Sequence, residues 1–375
     1  MERIYRHHYV PEWYQKSFMK DGQTAYFRLD LNPDTITKPD GEVITKKNIH
    51  EKGPKQYFFE VDLYTTKYFG KENDDIERYL FGSIDNKGSK ALPAFISTNW
   101  KNEIHSNYLN FFEYMDAQKL RTIKGLTWLT TFLKPKDYND LLIKMQTIRQ
   151  MHSTIWIEAK MEIVSAEDSD IKFLVSDNPV TTYNPSLDLN SKQCQFPFDP
   201  EIQLIGTRTI FPINLNYCAI LTNLEYTKKD TEDINPLQPR TNARFFDDTI
   251  GTYLDIIRGR KLNMDSVAKI NYILKNRATK YIAAAEEEWL FPEKYISIEN
   301  WSDLDDVLFS SEFNKKGYPG EIFVGGKDGE LIMTQDEFGR KPTTEEEWKK
   351  KNEQAKRMTA HVHALLEKEK ADGRL

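Results

Sequence analysis

Two short runs and one scattered trio concentrate the side chains able to do chemistry. The first run is Tyr5-Arg6-His7-His8-Tyr9-Val10-Pro11-Glu12-Trp13-Tyr14. Imidazole is the side chain that exchanges a proton near neutral pH, so His7 and His8 inside an aromatic wall offer an acid, a base or a phosphate ligand. Neighbours on a strand point to opposite faces, so at most one of them serves a given site; the alternative is that they are hydrogen-bonded core histidines. The second run, Ser176-Asp177-Asn178-Pro179, delivers hydroxyl, carboxylate and amide together at the end of an apolar strand. Sheet ends of this kind often bind ligands, but the same residues also make a good turn. The third group is Glu77, Asp85 and Arg121. Eight helical positions turn through about 800°, which leaves the two carboxylates about 80° apart and able to face a common cleft. Arg121 sits among Leu120, Ile123, Leu126 and Trp128, where a cation needs a partner or an anion.

The elements that must position these groups follow from periodicity. Residues 23–31 alternate and end at Asn32-Pro33, as a half-buried strand does. From Asn73 or Asp74 a helix is expected, with Ile76, Leu80 and Ile84 on one face. Residues 108–133 and 138–163 read as two long helices broken at Lys134-Pro135-Lys136-Asp137, giving a helical hairpin. Strands are expected at 171–175, 207–211 and 217–221, the last two antiparallel, and a helix at 264–285. Short strands at 301–309, 321–324 and 330–333, separated by turns at Gly325-Gly326 and Asp328-Gly329, then precede a charged helix. Overlapping capping boxes, Thr343 with Glu346 and Thr344 with Glu347, start that helix, which runs to about residue 370. The fold class expected is α+β: a central antiparallel or mixed sheet, a long helical hairpin, a core domain over residues 1–285 and a small α+β appendage over 286–375.

Composition narrows the partners. With 52 basic against 58 acidic residues and a net charge of −6, no overall basic field draws nucleic acid, and such binding would need a local positive groove. Cys194 and Cys218 are too few for a disulfide framework, and the opening residues lack a charged-then-apolar leader, so a cytoplasmic setting is expected. No run of about 18 apolar residues occurs, and no membrane span is expected. Nucleotide-loop, zinc-protease and serine-elbow signatures are missing, as is any metal-spaced cysteine pair.

His7-His8-Tyr9-Val10-Pro11 with Trp13, Tyr14 and Phe18, followed by Ser176-Asp177-Asn178-Pro179-Val180, resembles the paired signatures of the bacterial family called domain of unknown function 4238. Leu120-Arg121-Thr122, Phe211-Pro212-Ile213 and the helix bearing Asn271 and Ala278 add to the likeness, which covers about residues 5–285. Asp85 stands where glutamate is expected, and Lys124-Gly125 where a proline and a second arginine are usual, which puts a second basic ligand beside Arg121 in doubt. The resemblance implies an accessory gene of antiphage loci. Its first functional expectation is an effector nuclease, a hydrolase toxic to the cell that cleaves RNA or another nucleic acid. His7 or His8 would be acid or base, Arg121 would hold the phosphate and Asp177 would orient the histidine. Tyr9, Tyr14, Ser176 and Asn178 would contact substrate. A divalent ion such as Mg or Mn would be held by Glu77, Asp85 and Asp177 in a metal-dependent version. The alternative is a non-catalytic sensor that binds a phage protein or a nucleotide, with the C-terminal appendage available for oligomerisation.

Overall fold

The computed structural model describes residues 3–227, 235–240, 256–309, 321–326, 330–336 and 341–371. The chain forms two compact units, one of residues 1–240 and 251–312, the other of 241–250 and 313–375. The architecture is α+β.

The first unit begins with β1 (Arg6–His8), α1 (Glu12–Lys16), β2 (Tyr26–Asp30), β3 (Thr35–Thr37), β4 (Val43–Thr45) and β5 (Ile49–Lys52). Then come β6 (Phe59–Val61), β7 (Thr66–Tyr68) and β8 (Lys71–Asn73). A π-helix over Ile76–Phe81 leads into α2 (Gly82–Ile96), α3 (Trp100–Leu120), α4 (Ile123–Leu133), α5 (Tyr138–Thr147) and α6 (Met151–Glu158). The remainder is β9 (Lys160–Ser165), β10 (Val175–Ser176), β11 (Thr181–Tyr183), β12 (Arg208–Pro212), β13 (Tyr217–Thr222), α7 (Leu224–Thr227), β14 (Ile257–Lys261), α8 (Met264–Arg277), β15 (Tyr281–Ala284) and α9 (Asp305–Leu308).

Two sheets frame the core. One has the order β10-β15-β2-β5 and is antiparallel throughout; the other, β11-β12-β13-β9-β14, is mixed because β14 runs parallel to β9. The pair β12 and β13 forms as the sequence indicates, joined through residues 213–216. The core includes an aromatic cluster that the N-terminal segment shares with β12. Tyr14 stacks on Phe211 with ring centroids 5.7 Å apart, meets Phe18 edge-on at 5.1 Å, and gives its hydroxyl proton to the Pro212 carbonyl. Burying rings of this size is worth on the order of 4 kcal/mol each as an upper estimate. The N-terminal segment is therefore bound into the body: Tyr9, Val10, Tyr14 and Phe18 are fully buried.

Three helical expectations change. The two long helices expected over 108–163 are four, and the hairpin that forms is α2 against α3, with Gly88 facing the Tyr114 ring and Phe95 stacked on Phe111 at 3.9 Å. Thr122 stops the long helix by capping the next: its Oγ1 accepts from the Gly125 N–H at 3.0 Å. The Lys134-Pro135 break holds, with Lys134 left-handed at φ 43. Residues 160–165 pair as β9 with β13, because their apolar side chains fill a two-sided sheet interior. Likewise residues 281–284 leave the helix register and become β15 between β10 and β2. Of the strand expected at 171–175, only Val175 pairs, within β10.

The first compact unit extends past residue 285, since Trp289, Leu290, Leu304 and Leu308 are buried in its core. Residues 301–308 are helical turns, not a strand, started by an Asn300–Asp303 capping box. In the second unit, β16 (Glu321–Gly325) and β17 (Leu331–Asp336) form a hairpin, and α10 (Glu345–Ala371) packs on it through Asn352, whose Oδ1 accepts from the Leu331 N–H at 2.9 Å. Thr344 Oγ1 accepts from the Glu347 N–H at 3.2 Å, one half of its expected box, while the Glu347 carboxylate accepts from the Thr343 N–H at 2.9 Å instead. The turn expected at Asp328-Gly329 lies outside the described residues. Among the described residues no helix is long and apolar enough to cross a membrane.

Candidate functional site

β1 separates the paired histidines by its pleat. His7 turns inward and is fully buried. Its Nδ1 accepts from the Tyr64 N–H at 2.8 Å and its Nε2 donates to the Ile4 carbonyl at 3.0 Å, which fixes a neutral tautomer. Burial lowers its pKa below the usual histidine range, against the backbone bond to Ile4 and the nearby Asp62 and Asp74. With both nitrogens engaged and the ring stacked on Tyr64, His7 is a structural histidine. His8 faces the other way, its Nε2 3.8 Å from Glu12 Oε1 and without a hydrogen bond. Burial lowers its pKa too, opposed chiefly by Glu12.

Glu77, Asp85 and Arg121 do converge. The π-turn is responsible: its i→i+5 bonding takes an extra residue per turn, which closes the gap of about 80° that a regular helix would leave between the carboxylates. Arg121 Nη2 stands 2.8 Å from Asp85 Oδ1, and Nε and Nη2 both reach Gln118 Oε1, at 2.9 and 2.5 Å. Gln118 in turn gives its Nε2 proton to the Tyr9 carbonyl at 2.7 Å, and Tyr64 OH donates to the Arg121 carbonyl at 2.5 Å. The first signature thus holds Arg121 through its neighbours. Burial pushes Glu77 up to about 7, opposed by Arg121 and reinforced by Asp85. Asp85 is raised as well, again by burial, with Arg121 opposing. Arg121 is only 1% exposed, so it cannot grip a polymeric phosphate from where it stands.

Asp177 is elsewhere. Its Oδ1 accepts from the Thr279 N–H at 2.8 Å, and its Oδ2 accepts from Lys280 and Tyr281 at 2.7 and 2.9 Å. Three backbone donors consume the carboxylate, tying the turn after β10 to the loop that leads into β15. A divalent ion therefore does not fit the expected trio. Asp177 is occupied by main chain, Asp85 by Arg121, and among the described residues no three His, Cys, Asp or Glu groups are placed to hold a metal. The expected substrate contacts are also interior: Tyr9, Tyr14, Ser176 and Asn178 are all buried. Ser176 Oγ accepts from the Asn178 N–H at 3.2 Å, the hydrogen bond of a turn. What links the two signatures is Tyr9 rather than an imidazole, its hydroxyl raised well above the usual range by burial and then by the Asp177 charge.

Asn178 opens onto a second, cationic cluster. Its Nδ2 donates to Asp199 Oδ2 at 3.0 Å and to the Arg277 carbonyl at 3.3 Å. Lys124 Nζ donates to Asp199 Oδ1 at 2.6 Å and to the same carbonyl at 2.9 Å, while Lys119 Nζ lies 3.5 Å from Asp199 Oδ2. Burial alone would raise Asp199, but Lys124 and Lys119 hold it below the usual carboxylate range. Arg277 is 3% exposed, lies over Trp301 at 5.1 Å and donates to the Leu187 carbonyl at 2.7 Å, yet its Nε has no hydrogen-bond partner. Three cations thus share one carboxylate. Lys124 and Arg277 also line a cavity of about 340 Å³ with Asn32, Cys194, Phe196, Asn276, Ala278 and Thr279. The turn between α3 and α4 makes this possible: Arg121 points to the π-helix side and Lys119 and Lys124 to the cavity side. At that turn a side chain on Gly125 would meet the Lys119 carbonyl oxygen at 2.2 Å, so only glycine fits.

Residues 6–155 match the family model described as Protein of unknown function (DUF4238). Over those residues the resemblance expected from the sequence stands. The matched segment carries the first signature, the π-helix, Arg121 and both lysines of the cationic cluster. Asp177, Asn178 and α8, expected within the resemblance, lie beyond it. No curated protein and no solved structure matches the chain. Lys119, Asp199, Arg277 and Phe196 were not singled out in the sequence, where each is an isolated residue without a motif; Lys124 was visible only as a departure beside Arg121.

Proposed function

We propose that the first unit is a recognition protein that binds a small phosphate-bearing anion in the cavity between Lys124 and Arg277. One observation carries the reading: a cavity of about 340 Å³ whose wall holds two buried cations, one of them with an unpartnered N–H donor. Cavities of roughly 300–1,000 Å³ suit small ligands, whereas an RNA strand needs an open groove. The last turn of α8 would repel an anion by its dipole, but its Arg277 carbonyl is already taken by Lys124 and Asn178. A cytoplasmic, antiphage setting is part of the proposal, supported by the family resemblance and by two free cysteines.

Calorimetric titration of the whole chain with pyrophosphate at low salt tests it. Asp199 keeps Lys119 and Asn178 when Lys124 is removed, so the informative variant is the single change Lys124→Met, which takes one cation from the cavity wall without orphaning the carboxylate. Binding at least tenfold weaker in that variant is expected. Equal affinity, or no binding by the wild type, refutes the proposal.

The nuclease reading keeps one specific observation in its favour. Glu77, pushed up to about 7 beside Arg121, has the proton affinity of an acid-base group at neutral pH. In that reading Glu77 does the work first assigned to the histidines. Wild-type cleavage of labelled RNA that survives Glu77→Gln would sink it.

A further inference from the structure

A phosphate site accounts for the inner wall of the cavity but not for its mouth. Phe196 lines that mouth with 54% of its surface exposed, a π-face open to a planar partner. Beside it, Asn276 spends its Nδ2 on the Tyr272 carbonyl at 2.8 Å, which leaves Oδ1 to accept from a ligand amine. Asn32, on the same wall, reaches the Thr279 carbonyl only at 3.4 Å, so its amide can be recruited at little cost. Cationic floor, aromatic face and amide edge are the three kinds of group that a phosphate, a base and its exocyclic substituents require.

We infer that the ligand is a nucleoside monophosphate. Its phosphate lies between Lys124 and Arg277, its base stacks on Phe196, and Asn276 accepts from the base edge. This rests on the phosphate reading above and adds the base. The volume, about 340 Å³, is of the order that a single nucleotide fills. Stacking of a base on an aromatic side chain gives the expected selectivity over a plain sugar phosphate.

Cys194 provides the readout, because it lines the cavity while Cys218 is fully buried with its thiol raised by burial. Burial raises the Cys194 thiol as well, so alkylation of the intact protein is run at mildly alkaline pH, where the half-buried Cys194 reacts ahead of the fully buried Cys218. Protection is measured with inorganic phosphate, ribose 5-phosphate, adenosine and the four nucleoside monophosphates. At least one monophosphate should protect at a concentration tenfold or more below ribose 5-phosphate. Phe196→Leu should abolish that advantage while leaving protection by inorganic phosphate intact, and Phe196→Tyr should keep it. Monophosphates no better than ribose 5-phosphate, or an advantage that survives Phe196→Leu, overturns the base subsite and leaves the phosphate site standing. No protection by any phosphate compound overturns both.

Discussion

Replacing Asp177 by asparagine separates a structural clamp from a catalytic carboxylate. In the native turn two oxygens receive three backbone N–H groups, so every contact needs an acceptor. An asparagine amide supplies one oxygen. Placed at the Oδ2 position it keeps Lys280 and Tyr281 and turns its NH2 group against the Thr279 N–H, which loses a charge-assisted bond worth about 1.5–3 kcal/mol. The two surviving bonds pass from charged to neutral acceptors and weaken by about 0.5 kcal/mol each. The sum is about 2.5–4 kcal/mol. For a unit of this size about 2–4 °C of melting temperature goes with each kcal/mol, so Asp177→Asn should melt roughly 5–16 °C below wild type. A plain turn would tolerate asparagine, and a metal ligand would lose function with little change in stability. Differential scanning calorimetry at pH 7 decides: a melting temperature within about 2 °C of wild type would refute the clamp and the arithmetic built on it.

The pH dependence of stability should carry the mark of Glu77. Its folded pKa of about 7 lies above the ordinary 4.5, so its favourable contribution is complete below about 4.5 and disappears as pH rises through 7. Glu77→Gln should therefore stabilise the fold above pH 7 by on the order of 1–3 kcal/mol and change little below pH 4.5, read from urea unfolding across that range; a variant that is no more stable at pH 8 contradicts the assignment. The histidines should part company. His7→Ala strands the buried Tyr64 N–H and removes a stacked ring, at a cost of about 3 kcal/mol, whereas His8→Ala should cost less than about 1 kcal/mol. Equal losses in thermal melts would contradict the division of roles made by β1.

Local periodicity was enough for the elements whose neighbours share their preference. β12 and β13 pair antiparallel, β2 stops at Asp30 just short of Asn32-Pro33, and α10 begins just after Thr344, all close to what the chain indicates. The α+β class and the burial of the aromatic N-terminus were equally legible, because a terminus rich in Tyr, Trp and Phe has nowhere else to go. Residues 160–165 and 281–284 show where that reasoning stops. Both continue an apolar helix pattern, and only the pairing offered by distant strands turns them into β9 and β15.

The candidate site divides along the same line. Sequence alone marked His7, His8, Asp177, Asn178 and Arg121 as unusual, since polar groups placed among apolar neighbours must be satisfied somewhere. It could not say by what. Tertiary structure gave Asp177 to three main-chain donors and His7 to Tyr64 and Ile4, and brought Glu77 onto Asp85 through a π-turn that no spacing rule reveals. It also assembled Lys119 and Lys124 at the α3–α4 turn with Asp199 and Arg277, from three separate stretches of chain. The charge of that cavity is a sum over residues far apart in sequence, and only folding brings the terms of such a sum within a few ångströms of one another.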